Sequence, residues 1–379
     1  MNGLSEEDQR QLDRLYDDLS QRHQHCIGYP LSEDFDYSPL YRFLKMSINN
    51  VGDPYEGGNP VVNTLTFEKT VVDYFAELFH ADKQDFWGYI TNGGTEGNLY
   101  CCYVARRKYP LAKLYFSVDS HYSVLKITNL LRMQPVIVKS LPNGEIDIDD
   151  LMERIIDSGD KTFIIWANVG TTMKGAVDNI PSIHERLALA GFSRNQYYLH
   201  TDAALKGLIL PFVPNPEPFD FRADIDSIAV SGHKMIGSPI PCGVAIVKAS
   251  AAHLIDRSIE YIDTHDLTIA GSRNAFTPLI LWYAIKTHSK KDWVDRTLRC
   301  IHFAQYAKDR LVNEGVEAHS NPNSVTVYFT KPSEVVWRRY HLATQGDIAH
   351  IIILGHVRKP FLDQLLDDVI QDSKAKALR

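Results

Sequence analysis

Short apolar runs alternate with longer, helically spaced ones through the middle of this chain, and that alternation predicts most of its elements. Strands are expected at Leu114–Val118, Val136–Lys139, Phe163–Ala167, Tyr197–His200, Ile225–Val230 and Gly243–Val247, with helices between them at 95–109, 121–133, 147–157 and 180–191. Such an alternation implies a largely parallel sheet covered on both faces, with ligands bound beyond the carboxyl ends of the strands. Ahead of it, residues 5–22 put Leu12, Leu15, Tyr16 and Leu19 on one helical face, and Leu65, Val72, Phe75, Ala76 and Phe79 keep helical spacing over 64–80. Between those helices, residues 23–62 are rich in turn formers and aromatics, an irregular stretch too apolar to be disordered. After a loop around 261–278, residues 279–313 read as one helix. Strands at Ser324–Phe329 and Ala349–Leu354 and helices near 333–340 and 360–371 then complete a smaller α+β unit. The expected organisation is an N-terminal helix with an irregular segment (1–62), a large ligand-binding domain (63–278) and a small C-terminal domain (279–379).

A chain of 379 residues with 44% apolar positions has ample surface to bury in two such domains. Its formal net charge of -7 argues against a non-specific nucleic-acid binder, which needs a basic face. No apolar stretch approaches the roughly 20 residues that a membrane span requires. The N-terminus is charged and periodic rather than basic and then apolar, so no secretory signal is expected. The five cysteines are scattered, without metal-type spacing, which predicts neither a disulfide framework nor a structural metal and points to the reducing cytoplasm.

Four segments carry candidate chemistry, each at the end of an expected strand. The glycine-rich turn Thr91-Asn92-Gly93-Gly94-Thr95 feeds a helix, whose free N–H groups and dipole suit a phosphate; the alternative is a plain strand–helix turn. His121 opens the next helix, where it either caps the helix or stacks on an aromatic ring. Asp202 ends a buried strand, so it either caps the following turn or meets a cation such as a protonated pyridine nitrogen. Lys234, in Ser231-Gly232-His233-Lys234, follows an apolar strand. It is either a snorkelling surface lysine or an amine made nucleophilic by desolvation, as Schiff-base lysines are. One ligand with a phosphate, an aromatic ring, a basic ring nitrogen and an aldehyde would engage all four.

In order, TNGGTEGN, SHYSV, NVGTT, HTDAAL and SGHKMIGSPIPCG resemble the motifs of the group II pyridoxal 5′-phosphate (PLP)-dependent amino-acid decarboxylases. The likeness is greatest to the short bacterial histidine decarboxylases and the plant serine decarboxylases, and it runs from about Ile27 to His350. It implies an α/β fold of type I, aspartate-aminotransferase-like, in a homodimer with active sites near the interface. By the same resemblance Lys234 would hold PLP as an imine, Asp202 would pair with the pyridinium nitrogen, and His121 would stack on the ring and help hold the substrate carboxylate. Gly94 and Thr95 would bind the phosphate with help from Ser231 and His233, and Thr172 would sit near the phenolic oxygen. In this family a mobile loop commonly returns a proton to Cα; Tyr261 and His265 are the candidates here, with Arg273 an anchor for that loop or for a phosphate.

The chain departs from the family pattern at several positions. Ala275-Phe276 replaces a usual Gly-His, and Lys206 stands where a small residue is usual. Gly52-Asp53-Pro54-Tyr55 looks like the plant enzymes, and the GGNPVVNT run after it matches neither group. These changes leave the cofactor residues intact and bear on the substrate, because a polar pocket discriminates strongly by its hydrogen bonds. The resulting expectation is decarboxylation of an L-amino acid, L-histidine to histamine, with L-serine or another polar amino acid as the alternative substrate. An aldehyde-forming or transaminating PLP enzyme and an inactive homologue are the remaining readings.

Overall fold

The computed structural model describes residues 3–58 and 61–378. Met1 and Asn2 of the N-terminal segment, Asn59 and Pro60 of the GGNPVVNT run, and Arg379 lie outside the described residues.

Seven strands build the main sheet: β1 (Trp87–Thr91), β2 (Lys113–Ser117), β3 (Pro135–Val138), β4 (Phe163–Asn168), β5 (Tyr197–Asp202), β6 (Ser227–Ser231) and β7 (Gly243–Val247). Their order is β1-β7-β6-β5-β4-β2-β3. Strands β2 to β6 pair in parallel, and β7 runs antiparallel to both of its neighbours. Every residue of β4, β5 and β6 is buried, the continuous burial expected of parallel strands covered on both faces. The six expected strands appear with ends shifted by a few residues. β1 is an addition to the six named strands, at the place where the glycine-rich turn implies a strand end.

Helices α1 (Glu6–His23), α2 (Leu65–Leu78), α3 (Gly94–Lys108), α4 (Ser123–Leu130), α5 (Ile148–Ser158) and α6 (Ile180–Leu189) follow the sequence pattern. α5 shows how locally this is set. The Asp147 carboxylate caps the N–H groups of Asp149 and Asp150, Gly159 closes the helix in the left-handed region, and Leu151, Met152 and Ile155 turn inward. The apolar face of α1 is where it was expected, but nothing among the described residues covers it: Leu12, Leu15, Tyr16 and Leu19 are 51 to 73% exposed.

The single helix expected over 279–313 is two, α7 (Phe276–Thr287) and α8 (Lys290–Asn313). Ser289 caps α8 while the Asp292 carboxylate accepts from the Ser289 N–H, a reciprocal box that starts a new helix whatever the apolar periodicity says. α7 packs on α2. Trp293 and Cys300 of α8 join the core under the main sheet, whereas Ala304, Ala307 and Leu311 join the C-terminal core. The C-terminal unit is an antiparallel sheet of β8 (Ala318–His319), β9 (Thr326–Thr330), β10 (Ala343–Gln345) and β11 (Ile348–Ile352), in the order β8-β9-β11-β10, covered by α8 and α9 (Lys359–Ala377). The stretch after α1 threads into this unit: the Ile27 N–H donates to the Tyr340 carbonyl and the Ile352 N–H to the Ile27 carbonyl. A Cβ on Gly28 would lie 2.3 Å from the Ala343 nitrogen, so only glycine fits that crossing.

Candidate active site

A cavity of about 450 Å³ opens at the carboxyl ends of β4, β5 and β6, between the start of α3 and the C-terminal sheet. Gly94, Thr95, His121, Thr172, Asp202, Ser231, His233 and Lys234, drawn from five separate stretches of sequence, all line it. A second concavity of about 470 Å³ runs along one face of α8 from His302 to Glu314 and contains none of these residues.

Lys234 lies in the turn after β6, where Gly232 is pressed so tightly that a Cβ would meet Cys242 Sγ and Leu281 at 2.7 Å. Burial pushes its ammonium pKa down, and the Asp202 carboxylate only partly restores it. The side chain is largely buried and lines the cavity, and no ion pair holds it among the described residues. Asp202 closes β5. One carboxylate oxygen accepts the Ala204 N–H at 3.2 Å, the capping role weighed for it, and the other is left toward the cavity. His121 precedes α4. Its Nδ1 accepts from the Ser123 N–H at 3.3 Å and lies 2.8 Å from the Ser123 hydroxyl, which assigns the ring proton to Nε2 in the neutral form. Burial, with Lys234 and Lys126 nearby, lowers its pKa against the opposing pull of Asp202.

The phosphate cradle is equally concrete. Gly93, at φ +146°, leads into α3, and a Cβ on Gly94 would sit 2.5 Å from Ser231 Oγ. Only glycine lets that hydroxyl approach the helix start, where the first-turn N–H groups have no intrahelical acceptor. His233 Nδ1 donates to the Cys242 carbonyl at 3.0 Å, leaving Nε2 free for the cavity. Tyr261 and His265 do not join this group. Tyr261 is 81% exposed, and His265 is paired with Asp256 at 2.6 Å on the short hairpin of Ser258–Ile259 and Thr264–His265, outside the cavity lining. Arg273, expected to anchor that loop or a phosphate, has its guanidinium buried outside the cavity lining, where it donates to Glu68 (2.9 Å) and to the Gly52 carbonyl (2.9 Å), bracing the turn at Gly52 rather than the Tyr261 loop.

Several lining residues were not singled out from sequence. Asn168, opposite Asp202 in register, donates from its amide to Asp178 (3.0 Å) and Ser117 (3.2 Å). Asn98 and His350 also line the cavity, as do Tyr29 and Tyr122 at its exposed rim. Asn98, Tyr122 and Asn168 lie inside matched motifs and His350 ends the matched stretch, a signal that could have found them. Of the departures from the family pattern, Lys206 lines the cavity, whereas Asp53, Ala275 and Phe276 are buried elsewhere in the chain.

A free carboxylate oxygen, a desolvated amine facing the cavity, a neutral imidazole and a glycine-cleared helix start make a set that fits PLP group by group. The comparisons agree. The family pattern described as the pyridoxal-dependent decarboxylase conserved domain matches residues 37–330. The chain is 52% identical to histidine decarboxylase of Morganella morganii over 97% of its own length and 98% of that protein's, and 50% identical to histidine decarboxylase of Pseudomonas entomophila over 99% and 94%. Among solved structures, L-methionine decarboxylase from Streptomyces sp.590 in its internal aldimine form superposes with a TM-score of 0.88 at 28% identity, covering 98% of this chain and 95% of that one. Sheet order, cavity chemistry and near full-length similarity converge: the chain belongs to the pyridoxal-dependent decarboxylases, carboxy-lyases that work with pyridoxal 5′-phosphate.

Proposed function

We propose that this decarboxylase converts L-histidine to histamine. The observation that carries the reading is end-to-end similarity, near half identity, to bacterial histidine decarboxylases.

In this reading Lys234 would bind the cofactor's aldehyde group through Nζ, Gly94 and Thr95 would hold the phosphate with help from Ser231 and His233, Thr172 would line the side of the phenolic oxygen, and the free oxygen of Asp202 would keep a proton on the ring nitrogen. PLP, when bound, would supply the electron sink for decarboxylation. His121, as a neutral ring, would pack on the cofactor and present Nε2–H to the substrate carboxylate. Leu31, Leu205, Val325 and Ile352 line the same space and exclude water from a carboxylate that must leave uncharged. Tyr261 or His265 returns the proton to Cα. Since their loop lies outside its own protomer's cavity, that delivery is made to the other subunit of a homodimer, whose contact surface includes the uncovered face of α1. We further infer a cytoplasmic protein, supported by five unpaired cysteines, and working units of 1–62, 63–278 and 279–379, the last supported by the apolar cluster under the C-terminal sheet.

The test is a panel of L-amino acids incubated with the PLP-loaded protein, with CO₂ counted and amines identified by mass. Histamine should dominate; faster release from serine or another amino acid, or an aldehyde product, sinks the assignment. Lys234→Ala should abolish the imine absorbance and nearly all turnover.

A further inference from the structure

Lys206 is a buried cation in the cavity wall with no part in the chemistry above, and its surroundings suit a different task. It lies four residues beyond Asp202, in the short helical turn Lys206–Leu208, with its side chain 2% exposed. Its stem runs along Gly170, which has φ +103° and where a Cβ would lie 3.2 Å from Lys206 Cγ. Its ammonium crosses to the C-terminal unit and donates to the Pro322 carbonyl at 2.7 Å. Glu217 Oε1 stands 3.8 Å away, while the other Glu217 oxygen accepts from Asn323 Nδ2 at 2.9 Å, and that amide also reaches the Asn215 carbonyl.

An ammonium this deep, with one carbonyl and a distant carboxylate, is poorly compensated, and an apolar side chain of equal length would fill the space at lower cost. What the charge adds is a directed bond between two walls. On one side Gly170, Thr171 and Thr172 line the cavity; on the other, Asn323 turns in the left-handed region and Ser324, Val325 and Thr326 line it. We propose that Lys206 is a positioning residue that ties the 322–326 wall to the 170–172 loop and thereby sets the width of the cavity across which the substrate is held.

The inference rests on that cavity being the substrate site. The charged groups facing Lys206 are Glu217 and Glu145, and burial outweighs both, bringing the ammonium down to about 8. Above that pH the bond to Pro322 loses its charge assistance.

PLP-loaded Lys206→Met, with Lys206→Ser as a second variant in case the first fails to fold, tests this. Relative to wild type, KM for L-histidine should rise about tenfold with kcat changed less than about twofold, the loss of one charge-assisted bond. Amide exchange at residues 323–326 should quicken. Wild-type KM should climb as pH passes about 8, and that climb should be absent from the variant. Unchanged exchange at 323–326, or a KM and pH profile identical to wild type, overturns the proposal. The exchange measurement uses no substrate, so it still decides the bracing role if another amino acid proves to be the substrate, in which case KM is read with that one.

Discussion

At the scale of single residues, the site is built from charges that burial leaves short of partners. Lys234 faces the cavity without an acceptor among the described residues, Asp202 has one oxygen uncommitted, and Lys206 holds one carbonyl with a carboxylate 3.8 Å away. A protein of ordinary marginal stability carries such groups at the expense of its own folding free energy. For Lys206 the sign can be worked out. Its pKa is about 8 when folded against 10.5 for the ordinary side chain, so between those values the unfolded chain binds more protons than the native one. Stability relative to Lys206→Met should therefore rise as pH increases from about 8 to 10.5, by roughly 3 kcal/mol in all. Denaturant titrations of both proteins across that window check this, and a wild-type advantage that falls with pH would refute the assignment of a depressed amine. Lys234 and Asp202 could be picked out from sequence because each sits where a strand ends, and Lys206 because it departs from the family motif. Their hydrogen-bond partners could not, since Ala204, Ser123, Cys242 and Pro322 become neighbours only through turn geometry and long-range packing.

Among the elements, capping decided what periodicity left open. Apolar spacing runs smoothly through 279–313, yet Ser289 and Asp292 divide it, because a reciprocal side-chain box satisfies helix-start N–H groups that a continuous helix would not leave free. The ribbon of Asn49–Val51 with Ser272–Asn274 was invisible as strand, since three-residue segments carry too little alternation to read. A buried network fixes it: Arg273 pairs with Glu68, and Glu68 also accepts from Asn50 (2.7 Å) and from the Ile90 N–H (3.0 Å). Arg273→Met leaves the Glu68 carboxylate buried and unpaired, so it should cost about 3–5 kcal/mol in denaturant unfolding. A loss below about 1 kcal/mol would mean that the ribbon is held by something other than this pair.

For the whole molecule, the uncovered stripe of α1 is the feature one chain leaves unresolved. Four large apolar residues on one helical face, none buried, make a surface that a lone soluble protomer rarely carries. If that face seats a second copy, Leu12→Glu with Leu15→Glu should shift sedimentation from dimer to monomer. Turnover should fall with it, because the Tyr261 loop lies outside its own cavity. A variant that stays dimeric and fully active would remove α1 from the interface. The sequence alone determined the β–α alternation, the parallel sheet and the strand-end placement of Lys234, Asp202, His121 and the glycine turn, because periodicity and turn chemistry are local and each strand's direction fixes where its end points. Only the tertiary structure decided which of the candidate residues share a cavity, that Arg273 braces a loop, that Lys206 spans two units, and that His265 spends its Nδ1 on Asp256. Those outcomes depend on contacts between residues far apart in the chain, where burial and distance, rather than spacing along the sequence, set the energy.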